Sequence, residues 1–187
     1  MKNIKAIGLR SSILIKNNVF SLVILPTVHK QKTLLLILWF FAWTTGGIIV
    51  MLNYPSLTEE RAKLFVIIWL GFWAYFEYKI FRICLWKQFG KEKLWIKNGI
   101  VFYQQSVNGK GKINEYDLNL ITNIELIEVD EKNFGDFFSK SFWVKGGERI
   151  CFTCQTKLVK LGMQLSHEES IEIIAEIKKY LKNRQNN

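Results

Sequence analysis

The chain has 187 residues, of which 49% are hydrophobic and 14% aromatic, and its formal net charge is +10. This length suits one ordinary domain, or a membrane segment joined to a smaller domain. The charge is uneven, because residues 1–86 hold 10 Lys and Arg against 3 acidic residues, whereas residues 87–187 hold 16 against 13. The excess flanks the most apolar part of the chain, and no RNA- or DNA-binding motif occurs elsewhere, so no nucleic-acid partner is predicted.

The N-terminal segment, residues 1–32, contains an apolar stretch with the pattern of a β-hairpin. The sequence SSILIKNNVFSLVILP (11–26) is rich in Ile, Val and Leu on both sides of Asn17-Asn18, a pair suited to a tight turn. A free apolar hairpin would expose strand edges and hydrophobic surface. We therefore expect this hairpin to join the sheet of the C-terminal domain.

The first apolar run, residues 33–52, has 20 positions without a charge. About 20 apolar residues, at a rise of ~1.5 Å each, cross a hydrocarbon core of ~30 Å. The run therefore predicts a transmembrane helix.

A second apolar run, residues 64–86, is also long enough to span a membrane. It follows Pro55 and a Ser56/Glu59 spacing typical of a capping box, which predicts a helix start near residue 57. The alternative for this weaker run is a soluble core helix. Next to the first span, however, the pattern favours an antiparallel transmembrane hairpin with a short external loop at 53–63.

The basic residues indicate how this hairpin is oriented. Six Lys and Arg and no acidic residue precede the first span, two basic and two acidic residues lie in the loop, and four lysines follow the second span closely. Because basic flanks stay on the cytoplasmic side, both termini are predicted to be cytoplasmic in a protein integral to the cell membrane.

Three charged residues lie within the second run. Lys79 and Arg82 fall toward the far interface, where long side chains reach the headgroups, so both are predicted membrane-edge anchors. The shorter Glu77 needs a partner, and an antiparallel hairpin places it level with Trp39, whose indole N–H is a candidate donor. The alternative is that Glu77 lies at the membrane edge and contacts water.

The C-terminal domain, residues 87–187, is predicted to be rich in β-strands. KLWIKNGIVFYQQ places Asn98-Gly99 between two β-rich runs, which is a strong hairpin signal. Further strands are predicted in KINEYDL (112–118), ITNIELIEV (121–129), SFWVK (141–145), RICFTC (149–154) and KLVKLGM (157–163).

A C-terminal helix is predicted over 167–183. Ser166 and Glu169 have capping-box spacing, and Ile171, Ile174, Ile177 and Leu181 recur at helical intervals. Seven antiparallel strands capped by a helix are the plan of a pleckstrin-homology-like (PH-like) barrel or sandwich. The predicted fold class is thus an α+β membrane protein, in which a transmembrane helical hairpin joins this domain.

The longest predicted loop, VDEKNFGDFFSK, carries three phenylalanines that are unusual for a solvated loop: Phe134, Phe137 and Phe138. Two alternatives remain open, namely local burial, or contact with the membrane or a partner. This loop is therefore a candidate interaction site.

Residues for catalysis or metal binding are sparse. Cys151 and Cys154 form a CxxC motif, but the histidines that could complete a metal site are limited to His29 and His167. Three positions apart on a strand, the thiols face opposite sides, so packing is favoured. No serine nucleophile elbow, phosphate-binding glycine loop or paired-carboxylate motif occurs. We therefore predict a non-enzyme without cofactor, metal or catalytic residues.

Three long stretches and a short pre-span segment resemble a known family. LWKQFGKEKLWI (85–96), NEYDLNLITNIEL (114–126) and KLVKLGMQLSHEESIEIIAEIKKYL (157–181), with ILP at 24–26, look like small bacterial inner-membrane proteins with two spans and a bacterial PH-like domain. The resemblance covers nearly the whole chain and implies an inner-membrane location. Its motifs are structural and imply no activity. One departure is Leu161-Gly162, where relatives often have an aromatic residue before the glycine.

The predicted function is a membrane-tethered, non-catalytic interaction module that presents a PH-like domain at the inner membrane surface. Its predicted partners are the bilayer and a protein bound at a strand edge, at the loop 130–140 or through the spans, with a homo-oligomer as one such assembly. The alternative is an accessory subunit of a membrane transport or channel complex, assembled through its spans. Phosphoinositide binding is disfavoured, because such folds bind phosphate through a basic loop after the first strand, and here that loop is Asn98-Gly99.

Overall fold

A computed structural model describes residues 3–27, 29–127 and 146–185 of the chain. It divides into two compact units, a helix pair of residues 28–88 and a sheet unit that combines residues 1–27 with residues 89–187. The sheet unit is therefore assembled from both ends of the chain.

The helix pair contains α1 (Lys30–Asn53) and α2 (Glu60–Phe89), joined through a 3-10 turn at Tyr54–Ser56. Both helices are long and apolar enough to cross a membrane. The prediction of two apolar helices is confirmed, and each extends beyond its predicted bounds by one to four residues at each end.

The predicted capping box before α2 is wrong. The Ser56 hydroxyl donates to the carbonyl of Asn53, at 2.7 Å, and so closes the end of the preceding turn. The next helix begins at Glu60, three residues later than predicted. The capping box does not form because Pro55 directs this segment into a 3-10 turn, in which the Ser56 hydroxyl binds the Asn53 carbonyl.

The larger sheet has six antiparallel strands in chain order. They are β1 (Asn3–Ile7), β2 (Ser11–Lys16), β3 (Val19–Ile24), β4 (Gly90–Lys97), β5 (Ile100–Val107) and β6 (Ile113–Asp117). Asn17 and Asn18 form the β2–β3 turn with φ of 50° and 57°, as a two-residue hairpin turn requires. Because β3 pairs with β4, with Phe20 opposite Ile96, the prediction that the N-terminal hairpin joins the sheet is confirmed.

The smaller sheet has three antiparallel strands, β7 (Ile121–Leu126), β8 (Glu148–Cys154) and β9 (Lys157–Met163). A 3-10 turn at Leu118–Leu120 leads into β7, and helix α3 (His167–Gln185) follows β9. The α+β class is thus confirmed as two apolar helices with antiparallel sheets of six and three strands. The predicted strand at 141–145 lies outside the described residues.

Helix α3 packs against β1, β7 and β8, and so contacts both sheets. Its capping box forms as predicted, because the Ser166 amide donates to Glu169 Oε2 at 3.0 Å and the Glu169 amide donates to Ser166 Oγ at 3.1 Å. The predicted apolar stripe needs one correction, since Ile171 is 50% exposed whereas Ile173 is 0% exposed. Ile177 is buried as expected, and the carboxyl-terminal turn is held by Tyr180, whose hydroxyl donates to the Asn18 carbonyl at 2.6 Å.

Candidate functional site

The two helices of the pair meet along one line of side chains. Gly47 of α1 lies so close to the Trp73 indole that a Cβ at this position would overlap the ring. Further along α1 toward its N-terminus, Thr44 contacts Glu77, and the Phe40 and Phe81 rings lie 6.2 Å apart. Small residues in α1 thus admit the large and polar side chains of α2.

The Glu77 carboxylate lies within this contact line. Its Oε1 is 2.5 Å from the Thr44 hydroxyl, which is also 2.8 Å from the carbonyl of Phe40 in its own helix. Within the described part of the chain, its Oε2 is buried and has no hydrogen-bond partner, and the same holds for the indole nitrogen of the nearby Trp43. The cluster of Thr44, Trp43 and Glu77, here called the helix-pair polar cluster, therefore retains one free acceptor and one free donor.

The predicted pairing of Glu77 with Trp39 differs from the observed geometry. The Trp39 ring instead stacks on Trp43, with centroids 5.4 Å apart, and Trp39 is 49% exposed. The prediction that Trp39 lies level with Glu77 assumed that the two helices extend symmetrically from the loop. The contact between Gly47 and Trp73 instead sets the register of the helices and places Thr44 opposite Glu77. Thr44, which the sequence analysis did not name, is the donor.

The two predicted anchors lie on exposed positions of α2, each beside a tyrosine one turn earlier. Lys79 Nζ is 5.4 Å from the centroid of the Tyr75 ring, and the Arg82 guanidinium is 5.9 Å from that of Tyr78. The Arg82 side chain also donates to the Tyr78 hydroxyl at 3.3 Å. Each cation is therefore held along the helix surface by an aromatic side chain.

A double-mutant cycle should detect coupling between Thr44 and Glu77. Thr44→Val removes the hydroxyl and Glu77→Leu removes the carboxylate. The loss of unfolding free energy in the double variant should be smaller than the sum of the two single losses by about 0.6–1.7 kcal/mol, as for other hydrogen bonds between membrane helices. The measurement is thermal unfolding of the full chain in detergent. Thr45→Val is the matched control, because the Thr45 hydroxyl donates to Phe41 of its own helix. Additivity for Thr44, or equal coupling for Thr45, would contradict the observed contact.

The sheet unit contains a second polar cluster, which joins its two sheets. Glu92 of β4 is 2% exposed and accepts the amide of Gly162 at 2.8 Å and that of Met163 at 2.9 Å, both from β9. The Tyr103 hydroxyl of β5 completes this set at 3.3 Å. Both carboxylate oxygens of Glu92 are thus occupied by donors from the protein.

Arg10, in the turn between β1 and β2, extends this cluster to the start of α3. It donates to the carbonyl of Leu25 at 3.0 Å and to that of Gln164 at 2.5 Å, and it lies 3.8 Å from Glu169 Oε2. We call Arg10, Glu92 and Glu169 the junction cluster. It links the larger sheet, the end of β9 and the first turn of α3.

The charges of the junction cluster are partly removed from water. Burial raises the pKa of Glu92, although the amides of Gly162 and Met163 oppose this shift. Burial and the adjacent Glu92 raise the pKa of Tyr103 well above its usual value. Since Glu92 is sealed from solvent and its oxygens are occupied, no substrate can reach it, and the geometry indicates a structural role.

Glu92 was not among the predicted site residues, although the sequence around it contains a local signal. Along β4, Glu92 alternates with Leu94 and Ile96, and all three face the core. A carboxylate on the apolar side of an alternating strand predicts a buried acceptor that requires donors from elsewhere in the fold.

The other predicted site residues do not form a reactive centre among the residues described. Cys151 and Cys154 are free thiols, and Cys154 packs against the core. Within the described ranges, no group of three or more His, Cys, Asp or Glu side chains is placed to hold a metal ion. The candidate interaction loop with Phe134, Phe137 and Phe138 lies outside those ranges.

We compared the chain with protein-family models, with curated proteins and with solved structures. None of the three comparisons gives a match to this chain. The resemblance to two-span inner-membrane proteins with a PH-like domain therefore stays a prediction that rests on the quoted motifs.

Proposed function

We propose that this chain is a membrane-tethered, non-catalytic interaction module, which holds its sheet unit at the inner membrane surface. One observation carries the proposal: many large apolar side chains of both helices remain exposed, with Leu52 74% and Phe65 69% accessible. A soluble protein would bury such helices, whereas lipid would cover them at no cost.

The sheet unit supports the second half of the proposal. It has its own hydrophobic core, with Phe20, Ile96, Ile150 and Ile173 at its centre. Its most buried ionisable group, Glu92, is fully engaged in joining the sheets. The unit is therefore suited to support a binding surface, and a PH-like fold for it is part of the same proposal.

Membrane insertion and orientation can be tested together on the full chain. The protein should stay in the membrane pellet after alkaline carbonate extraction, because both helices are held by lipid. Reporter fusions after residue 57 and after residue 187 should report opposite sides of the membrane, with residue 187 cytoplasmic. Release into the carbonate supernatant, or two reporters on one side, would refute the tether.

A second candidate function is an accessory subunit of a membrane transport or channel complex that assembles through its helices. The helix-pair polar cluster favours it, because Glu77 Oε2 and the Trp43 indole nitrogen are buried and find no hydrogen-bond partner in the described ranges. A polar residue inside a span is retained most often for function or for contact with another helix. If so, Glu77→Ala should lower the oligomeric state in detergent while Thr45→Val leaves it unchanged. The tether alone predicts no difference between these variants.

A further inference from the structure

The sheet unit contains a pocket of about 640 Å³ beside the turn that follows β4. Its walls come from the β4–β5 turn at Asn98 and Gly99, from the segment that leads into β7, and from the last turn of α3. The volume lies within the range of roughly 300–1,000 Å³ that is typical of small-molecule sites. No role in the tether or in the junction cluster accounts for this pocket.

The floor of the pocket is apolar. It is formed by Leu118, Ile121, Ile124 and Leu181. The same four side chains also line a small void of about 20 Å³, which is surrounded by apolar residues of the core such as Ile150 and Phe152. The floor therefore continues toward the hydrophobic core, and its chemistry suits a hydrocarbon chain.

The rim of the pocket is polar and carries one cation. Arg184 lies there with Asn98 and Asn119, and its Nη1 is buried without a hydrogen-bond partner among the residues that the structure describes. Gly99 has a φ of 79° and faces Arg184. A Cβ at position 99 would lie 3.7 Å from Arg184 Nη2, so the absence of a side chain there leaves the space beside the guanidinium open. A buried guanidinium N–H without an acceptor is costly, so an anionic group at the rim would be stabilising.

We propose that this pocket binds a single-chain amphiphile with a carboxylate head, of the fatty-acid class. The carboxylate would accept hydrogen bonds from Arg184, and the Asn98 and Asn119 amides offer further donors beside it. The hydrocarbon chain would lie on the apolar floor. Among the described residues that line the pocket, one guanidinium and two neutral amides match a single negative charge. This site is independent of the proposed tether, since it lies within the sheet unit.

The test uses the full chain in lipid nanodiscs, with empty nanodiscs subtracted for partition into lipid. Equilibrium dialysis of radiolabelled decanoate should give saturable binding at about one molecule per chain. Two probes separate head from tail, because decanol keeps the chain without the charge and acetate keeps the charge without the chain. Both should bind at least tenfold more weakly than decanoate, since each loses one half of the contacts.

A matched pair of variants assigns the binding to this pocket. Arg184→Gln should weaken decanoate binding about tenfold or more, whereas Lys182→Gln, the same charge change at an exposed position on the same helix turn, should not. Hydrogen exchange of both variants confirms that α3 stays folded, and in the unmodified chain decanoate should slow exchange at the β4–β5 turn.

Three results would overturn the proposal: decanol binding as tightly as decanoate, equal binding by the two variants, or no saturable binding above empty nanodiscs. If Arg184→Gln disturbs α3, the decanol comparison and the exchange at the β4–β5 turn decide the outcome. Failure of these tests leaves the carbonate and reporter results unaffected, so this proposal and the proposed tether can be rejected separately.

Discussion

Truncation of the chain after Leu165 should leave the sheet unit unfolded. The deletion removes Ile173, Ile177 and Tyr180, which are all buried in the core. At about 1.5–3 kcal/mol for each buried large side chain, the loss is comparable to the roughly 5–15 kcal/mol that stabilise a whole domain. Because α3 also contacts both sheets, its removal exposes the core on two sides.

Hydrogen exchange of the full-length and truncated chains in detergent is the measurement. Peptides from β4 and β5 should be protected in the full chain and should exchange within seconds after truncation. Equal protection in both chains would show that α3 is an appendage to an otherwise complete fold.

A matched pair of isoleucines on α3 provides the control for this truncation. Ile173→Ala, at a fully buried position, should cost about 2–5 kcal/mol. Ile171→Ala, at a half-exposed position two residues earlier, should change stability by about 0.5 kcal/mol or less. Similar losses at both positions would mean that the predicted stripe through Ile171, and not the observed one through Ile173, faces the core.

Glu92→Leu should destabilise the sheet unit strongly, although it replaces a buried charge by an apolar side chain. The substitution leaves the amides of Gly162 and Met163 without an acceptor, at about 1–3 kcal/mol each, or roughly 2–6 kcal/mol in total. Glu115→Leu is the control, because Glu115 occupies an exposed position on β6. The measurement is the free energy of unfolding of each variant in urea, with hydrogen exchange as the probe of unfolding. Equal effects would show that the junction cluster does not hold the sheets together.

The same carboxylate predicts a dependence of stability on pH. Burial raises the pKa of Glu92 above its ordinary value of 4.5, so between 4.5 and the higher folded-state pKa the folded chain binds more protons than the unfolded chain. This contribution to stability is therefore complete below pH 4.5 and is lost as the pH rises through the folded-state pKa. Glu92→Gln cannot titrate, and its unfolding free energy should lack this component. Parallel pH profiles for the two chains would contradict the raised pKa.

Some elements of this fold are set by residues only a few positions apart, and these could be predicted. The turns at Asn17-Asn18 and Asn98-Gly99 form because these residues accept positive φ, and the two long apolar runs form helices. The Ser166/Glu169 capping box needs contacts within four residues, and it forms as expected.

The same reasoning fails where a competing contact decides, whether that contact is local or comes from another part of the fold. The Ser56/Glu59 spacing matches a capping box equally well, yet Ser56 closes the preceding turn. On α3, Ile171 and Ile173 are both apolar, and contact with the two sheets selects which one is buried. Helical spacing alone predicts an apolar stripe but not its angle around the axis.

By itself, the sequence determined the three helices, strands β2 to β9, the tight turns and the union of the N-terminal hairpin with the main sheet, but not strand β1 (Asn3–Ile7). The tertiary structure alone decided the register of α1 against α2, which pairs Thr44 with Glu77, and the two backbone amides that bind Glu92, which lie about 70 residues away. The physical reason is the range of each interaction. Backbone conformation and hydrophobic periodicity act within a few residues, whereas a buried carboxylate or a glycine contact obtains its partner from whichever segment the packing brings near.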